Sequence, residues 1–373
     1  MNNIARSLRF YLKNTDLQLW ALTLSSVGFS LLLIGSMQRS GEYNYLRTQL
    51  AAALIGFALA VLVSNSNYEF LISKWYIAAI TGAALALIVF VFGMRVSGTD
   101  DTAWISVMGY TVQPSEFIKI CFIITFTKHL SSLYERELLD KPLWVLSLCA
   151  HAALPVGAIH LQGDDGTALI FGLVFLTMCF FAGIKLRYFA VLGGLVSAAI
   201  PVIWSFLLND EHRSRLLAIF FPDGSTVTNY GWQQYQGKLS VACGGLFGSG
   251  LFNGSRVKLG IVPEQENDFI FTVAGEELGF IGCALIMALL LMIMLRIIRT
   301  SKLADDYRGR LICGGVFALF ASQTIINLGM VLGFFPVIGV TLPLFSSGGS
   351  SVMSFLICTG LVQSVYGNER RLN

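Results

Sequence analysis

Apolar runs of about 20 residues recur along this chain, separated by short polar stretches. Ten of them stand out, over approximately 17–37, 47–64, 75–94, 114–133, 143–160, 167–183, 186–207, 268–296, 311–335 and 343–364. Each is long enough to cross a hydrocarbon core about 30 Å thick. Backbone polar groups in lipid must be satisfied within their own segment, so the spans are predicted to be helices. The strict in–out alternation of a membrane β-barrel is absent. The pattern therefore predicts an all-α polytopic membrane protein with about ten transmembrane helices, organised as a single membrane domain over 1–373.

Composition supports this reading. Of 373 residues, 55% are hydrophobic and only 13% charged, about half the charged share of a soluble protein. The polar, basic start "MNNIARSLRFYLKNTD" lacks a small-residue cleavage site, so the first run is expected to serve as an uncleaved insertion signal. The seven cysteines form no CxxC pair and read as small apolar residues.

The distribution of charge sets an orientation. With the N-terminus inside, the inside segments hold Arg6, Arg9, Lys13, Lys74, Lys128, Arg136, Lys141, Lys185, Arg187, Arg296, Arg299, Lys302, Arg308, Arg310, Arg370 and Arg371. The short outside loops hold only Arg39, Arg47 and Arg95. Positive residues favour the cytoplasmic side, so both termini are expected there. One segment is then unusual: 208–267, between the seventh and eighth spans, is a long extracytoplasmic loop. Its tryptophan, tyrosines and glycines predict that it is ordered against the membrane surface.

Polar chemistry collects at the outside ends of the spans. "VPEQENDFIFTVAGEELG" (262–279) puts five carboxylates beside a long apolar run. Asp268 at its start suits a helix cap, and equally a reactive group at a helix mouth. Deeper in the span, Glu276 and Glu277 are costly in lipid and therefore paired or functional. In "VQPSEFIKI", Glu116 and Lys119 stand three apart and can pair on one helix face. "LQGDDGTALI" places Asp164 and Asp165 just before a span, where one of them should cap it. Asp268, Glu116 and Asp164 together would make an oxygen-ligand set for a divalent cation, Mg²⁺ or Mn²⁺.

The outer loop offers Arg213, Arg215, Lys238, Arg256 and Lys258, either a basic face near headgroups or a pyrophosphate grip. The glycine-rich "GGLFGSG" (244–250) and "FSSGGSS" (345–351) could present backbone N–H groups to an anion, or could simply break or closely pack helices. The four histidines show no paired ligand spacing, so no zinc site is expected. No basic, aromatic-interleaved patch points to nucleic acid.

Five motifs in order, "QPSEFIK" (113–119), "QGDDGTALI" (162–170), "GGLFGSG" (244–250), "VPEQENDFIFTVAGEELGFIG" (262–282) and "INLGMVLGFFPVIGVTLPLFSSGGS" (326–350), resemble the SEDS family (shape, elongation, division and sporulation), whose members include RodA, FtsW and SpoVE. The short tails look more like RodA. The resemblance implies an inverting peptidoglycan glycosyltransferase of the bacterial cytoplasmic membrane. It would polymerise lipid II at the outer face and release undecaprenyl pyrophosphate. A class B penicillin-binding protein is the implied partner. The essential acid of the family matches Asp268. Glu116, Lys119, Asp164, Arg213 and Arg215 carry over as substrate-binding positions, and Trp104, Lys238, Ser346 and Ser350 are candidates beside them. A lipid II flippase and a non-catalytic scaffold for a transpeptidase are the alternatives. Three departures make this chain more acidic than the family pattern. Gly163-Asp164-Asp165-Gly166 replaces Pro-Asp-Leu-Gly, Ala103 stands where a basic residue precedes the tryptophan, and Gln265-Glu266-Asn267 replaces Arg-His-Thr.

Overall fold

The architecture comes from a computed structural model, which describes residues 11–37, 45–95, 101–107, 109–207, 213, 217 and 231–372. Helices occupy each of the ten expected places. They are α1 (Leu17–Met37), α2 (Tyr45–Asn65), the short α3 (Tyr68–Ser73), α4 (Trp75–Phe92), α5 (Ser115–Glu135), α6 (Pro142–Leu161), α7 (Asp165–Phe181) and α8 (Leu186–Val202). After them come α9 (Trp232–Cys243), α10 (Ser255–Leu259), α11 (Ile270–Leu303), α12 (Tyr307–Leu332) and α13 (Gly349–Leu372). Among the described residues, eight are long and apolar enough to span a membrane: α1, α2, α4, α6, α8 with its extension to Phe206, α11, α12 and α13. At 17 residues α7 is shorter, and α5 is diluted by Glu116, Lys119, Lys128 and His129. The chain is a multi-pass membrane protein.

α12 and α13 form the centre, where Phe320 and Phe355 meet edge to face at 4.6 Å. α13 lies along α2 at close range because glycines permit it. A Cβ added at Gly360 would come within 2.5 Å of the Ala60 carbonyl oxygen, and one at Gly56 within 2.9 Å of Met353 Cα. Small residues drive helix association in lipid, where apolar side chains gain little from leaving one apolar medium for another. At the periphery, α8 buries none of its side chains against the protein, as a lipid-facing helix should.

Consecutive spans alternate in direction, so the bundle has two ends. One is tied by polar contacts: Arg296 pairs with Asp16, whose backbone N–H and carbonyl bond the Gln363 side-chain amide at 2.9 and 2.8 Å. The opposite end, the site end, collects four connections. These are a two-stranded antiparallel hairpin of β1 (Ile105–Val107) and β2 (Tyr110–Val112), the α6–α7 turn, the segment 262–269 and the loop 333–348.

The described part of the long loop, 231–267, is ordered as expected. α9 lies against α11 and α12, and Gln234 Nε2 donates to the carbonyls of Met330 and Phe335 at 2.9 and 2.6 Å. α11 is interrupted at Gly279, whose φ of 65° and ψ of −158° are not helical. The "GGLFGSG" segment fills the break. The N–H groups of Ser249 and Gly250 donate to the carbonyls of Glu276 and Glu277, and those of Phe280 and Ile281 donate to Gly245 and Leu246. This segment therefore closes a helix break and presents no anion cradle. Of the two readings its composition allowed, close packing is the one realised.

Candidate active site

Asp268 sits two residues before α11, and its carboxylate caps nothing: the N-cap is Phe269, with no side-chain capping bond. The helix-cap reading of Asp268 is thereby corrected. What holds this residue is its backbone. Ser347 N–H donates to the Glu266 carbonyl at 2.7 Å, Ser346 Oγ to the Asn267 carbonyl at 2.6 Å, and Asn327 Nδ2 to the Asp268 carbonyl at 2.8 Å. Three consecutive carbonyls are thus fixed by α12 and the 333–348 loop. The same Asn327 amide also donates to the Val340 carbonyl at 2.7 Å. Gly339, with φ of 67°, backs the acid: a Cβ there would stand 3.6 Å from Asp268 Oδ2. Among the described residues the Asp268 carboxylate has no hydrogen-bond or ion-pair partner.

An unpartnered carboxylate among other acids holds its proton tightly. Burial, then the negative charges of Glu264, Asp164, Asp101 and Glu266, push the Asp268 carboxyl up from 3.8 to about 7. The residue keeps a partial opening to solvent, so it is set deep in the fold without being sealed in. A carboxylate tuned to this range is suited to proton abstraction at neutral pH.

Asp164 is near enough for its charge to act on Asp268 but is already engaged. Its side chain accepts from Thr167 N–H at 2.9 Å, capping α7, and from Gln113 Nε2 at 2.8 Å. Burial raises its pKa, and the Thr167 bonds oppose that rise. Gln113 N–H in turn donates to Ser350 Oγ at 3.0 Å, which links the hairpin, α7 and α13. Asp165, the second acid of the pair, faces His160 at the surface.

Glu116 is not part of the opening. It forms a buried ion pair with Lys119 at 2.7 Å and accepts from Ser354 Oγ at 2.8 Å, so it ties α5 to α13. The three-carboxylate metal set expected from the sequence is therefore not assembled, because Glu116 is committed to Lys119 and Asp164 to Gln113 and Thr167. Among the described residues no three His, Cys, Asp or Glu side chains stand so as to hold a metal ion. These residues do not fit a divalent cation.

The remaining candidates are spread around this end. Trp104 bridges Met94, and its indole N–H is buried with no partner among the described residues. The Lys238 ammonium lies over Gly333 at the C-terminus of α12, where a Cβ would fall 2.1 Å from Nζ; a helix C-terminus favours such a cation. Ser346 accepts from Leu342 N–H at 2.7 Å and closes the 342–346 turn. Arg213 donates to the carbonyls of Trp204 and Ser205 at the end of α8. Arg215 lies outside the described residues. Arg256 is used internally, on Ser240 and Gln236.

Two residues of this site escaped the sequence reading. Asn327 lies in the last two turns of α12 and carries no local signal of its role. Asp101, whose charge bears on both Asp164 and Asp268, lies in the polar loop segment "GTDDTAW", where nothing local distinguishes it.

The sequence profile described as "Cell cycle protein", FtsW/RodA/SpoVE, matches residues 15–371. The chain belongs to that family. Among its members, a probable peptidoglycan glycosyltransferase FtsW of Trichlorobacter lovleyi is 31% identical over 95% of this chain and 94% of its own length. The peptidoglycan glycosyltransferase MrdB of Escherichia coli is 30% identical over 87% of this chain and 85% of its own. The family's solved structures share the fold. A chain of a peptidoglycan synthase complex that coordinates polymerization and crosslinking superposes with a TM-score of 0.78 at 25% identity, covering 95% of this chain and 98% of that one. The rod shape determining protein RodA of Thermus thermophilus superposes at 0.68, also at 25% identity, covering 94% and 96%. FtsW and RodA relatives stand nearly level in identity.

Proposed function

We propose that this protein is a peptidoglycan glycosyltransferase that polymerises lipid II, with Asp268 as its general base. One observation carries the mechanism: a fixed, unpartnered carboxylate with a pKa near neutrality, at the end of the bundle where four connections converge. Membership in a family whose relatives are peptidoglycan glycosyltransferases supplies the substrate class.

In this reading Asp268 takes the proton from the 4-hydroxyl of the acceptor sugar. The oxygen attacks the anomeric carbon of the growing strand from the face opposite the pyrophosphate. The C–O bond to the lipid pyrophosphate breaks, and the new linkage is inverted, β-1,4. The departing undecaprenyl pyrophosphate is anionic and calls for cationic groups, for which Arg213, Arg215 and Lys238 are the candidates. The excess of Lys and Arg on one side supports cytoplasmic termini, with the site end outside. A class B penicillin-binding protein is the expected partner, since the matching synthase complex joins polymerization to crosslinking.

A flippase would need a charged path through the membrane. Glu276 and Glu277 were the best candidates for one, but both are used in holding the α10 turn. Glu276 accepts from the N–H groups of Arg256 and Val257 at 2.7 and 3.1 Å, and Glu277 from that of Gly254 at 3.3 Å. The deciding experiment is lipid II polymerisation by purified protein and by Asp268→Asn, with and without the partner. Normal glycan synthesis by the variant would leave Asp268 without its role. Synthesis abolished by the substitution, in a variant that still binds its partner, would exclude a scaffold.

A further inference from the structure

Asp164 acts on Asp268 by charge from a different element, and both of its carboxylate oxygens are covered. Thr167 N–H donates to Oδ1 at 2.9 Å and Gln113 Nε2 to Oδ2 at 2.8 Å. The Thr167 bond is local, an N-cap of α7. The Gln113 bond crosses 51 positions of sequence, from the link between β2 and α5. Gln113 is itself buried, and its backbone N–H is tied to Ser350 Oγ in the first turn of α13 at 3.0 Å. The side chain is thus aimed from an anchored backbone.

An amide nitrogen only donates, so against a carboxyl group it favours the ionised form. Turned around, the amide oxygen would repel that charge. Gln113 therefore opposes the burial that raises the Asp164 pKa, as do the Thr167 bonds and the Lys119 ammonium. The first turn of α7 also shares a wall with the base. A Cβ on Gly166 would fall 2.2 Å from the Ile338 carbonyl oxygen, and the next residue, Gly339, backs Asp268. The other charges bearing on Asp268 are Glu264 and Glu266 of its own segment and Asp101 of the polar connection before β1. Asp101 and Lys119 of α5 bear on Asp164. The 333–348 loop brings no ionisable side chain.

We propose that Gln113 is a positioning residue for glycosyl transfer, holding Asp164 in place as a second, ionised carboxylate and thereby setting the pH range over which Asp268 works. This role presupposes Asp268 as the general base. The two acids then divide the work by environment. Asp268, with no partner among the described residues, exchanges its proton. Asp164, covered at both oxygens, keeps its charge and makes its neighbour a stronger base.

The test is the pH profile of lipid II polymerisation by the full-length protein, by Gln113→Met, by Asp164→Asn and by the double variant. Met has about the length of Gln and keeps the backbone bond to Ser350, but cannot donate to Asp164. That acid should then take up a proton, and the rising limb of the rate should move to lower pH by about 0.5–1 unit, the scale of one like charge nearby. Asp164→Asn should move it at least as far, and the double variant no further, since no charge is left for the amide to hold. Thermal midpoints across the same pH range, each compared with the same protein carrying Asp268→Asn, follow the Asp268 proton without needing activity. In Gln113→Met and Asp164→Asn the Asp268-dependent loss of stability should be smaller and end at lower pH. A limb and a thermal profile unmoved in Gln113→Met, or shifts that add in the double variant, would overturn the role of Gln113. Should Gln113→Met fail to fold, Asp164→Asn decides: no shift there means that Asp164 has no charge acting on the base, and the role falls. Polymerisation retained in Asp268→Asn would instead end the base assignment itself, whereas loss of it beside an unmoved limb in Gln113→Met removes only the role of Gln113.

Discussion

Replacing Asp268 by Asn separates a reactive carboxylate from a structural one, because the two roles give opposite signs in stability. The folded-state pKa is raised from 3.8 to about 7. A raised value means that the fold favours the protonated acid. Its contribution is fully present below the unfolded value and is lost as pH rises through about 7. At pH 8 the ionised side chain costs the fold about 4 kcal/mol, from roughly three units at 1.36 kcal/mol each; at pH 5 the cost is roughly 1–2 kcal/mol. Asn has the same shape and no charge, so Asp268→Asn should be more stable than the native protein. The gain should shrink as the pH falls from 8 to 5. Thermal midpoints in detergent across that range measure it. Lipid II polymerisation by the same preparations should fall by about 10²–10⁴-fold, the range for loss of a general base. The native rate should climb with pH and level off above about 7. A variant less stable than native at pH 8 would mean that the carboxylate is held by partners, and a native rate profile already flat from pH 5 would remove the raised pKa from catalysis.

Other parts of the structure make their own predictions. Lys119→Met leaves Glu116 charged and alone in the core and should cost about 3–5 kcal/mol, with most of the loss recovered on adding Glu116→Gln; chemical denaturation of the native protein and the two variants checks this. Gly279→Ala forces a Cβ to within 2.5 Å of Gly248 N at a φ of 65°, so the thermal midpoint should fall sharply and the 231–260 segment should gain protease sensitivity. Asn327→Ala frees the Asp268 carbonyl and should lower kcat by about 10²-fold with little change in KM, as expected when a catalytic group shifts by about 1 Å. Glu276→Gln weakens two bonds to the α10 turn and should destabilise the protein by about 1–3 kcal/mol while leaving lipid II movement across vesicles unchanged.

Most of the fold was readable in the chain because lipid imposes a simple length rule. Each of the ten apolar runs holds a helix, eight of them long and apolar enough to span among the described residues, and boundaries were missed where the rule is silent. β1–β2 lies in a connection between spans that carries no apolar run, and α9 and α10 in a loop whose order could be inferred but not its shape. Pairing at i,i+3 made Glu116–Lys119 legible, and the position before an apolar run made the Asp164 cap legible. Both depend on one local segment. Asp268 was picked out by composition and family pattern, yet its freedom from capping could not be foreseen, since a carboxylate at a helix mouth can cap or stand free. Asn327, which fixes it, acts across 59 positions, and Gln113 meets Asp164 across 51. Contacts of that kind belong to the packed bundle and leave no local trace in sequence.

The anchoring of Glu266, Asn267 and Asp268 by three separate donors also has a consequence for how a polymer could grow here. A base whose main chain is clamped at successive residues cannot follow its substrate from one cycle to the next. On the proposed mechanism the elongating strand does the travelling, advancing one disaccharide past a stationary Asp268 after each bond is made. Processivity would then depend on how loosely the rest of the groove grips the sugar chain as it slides.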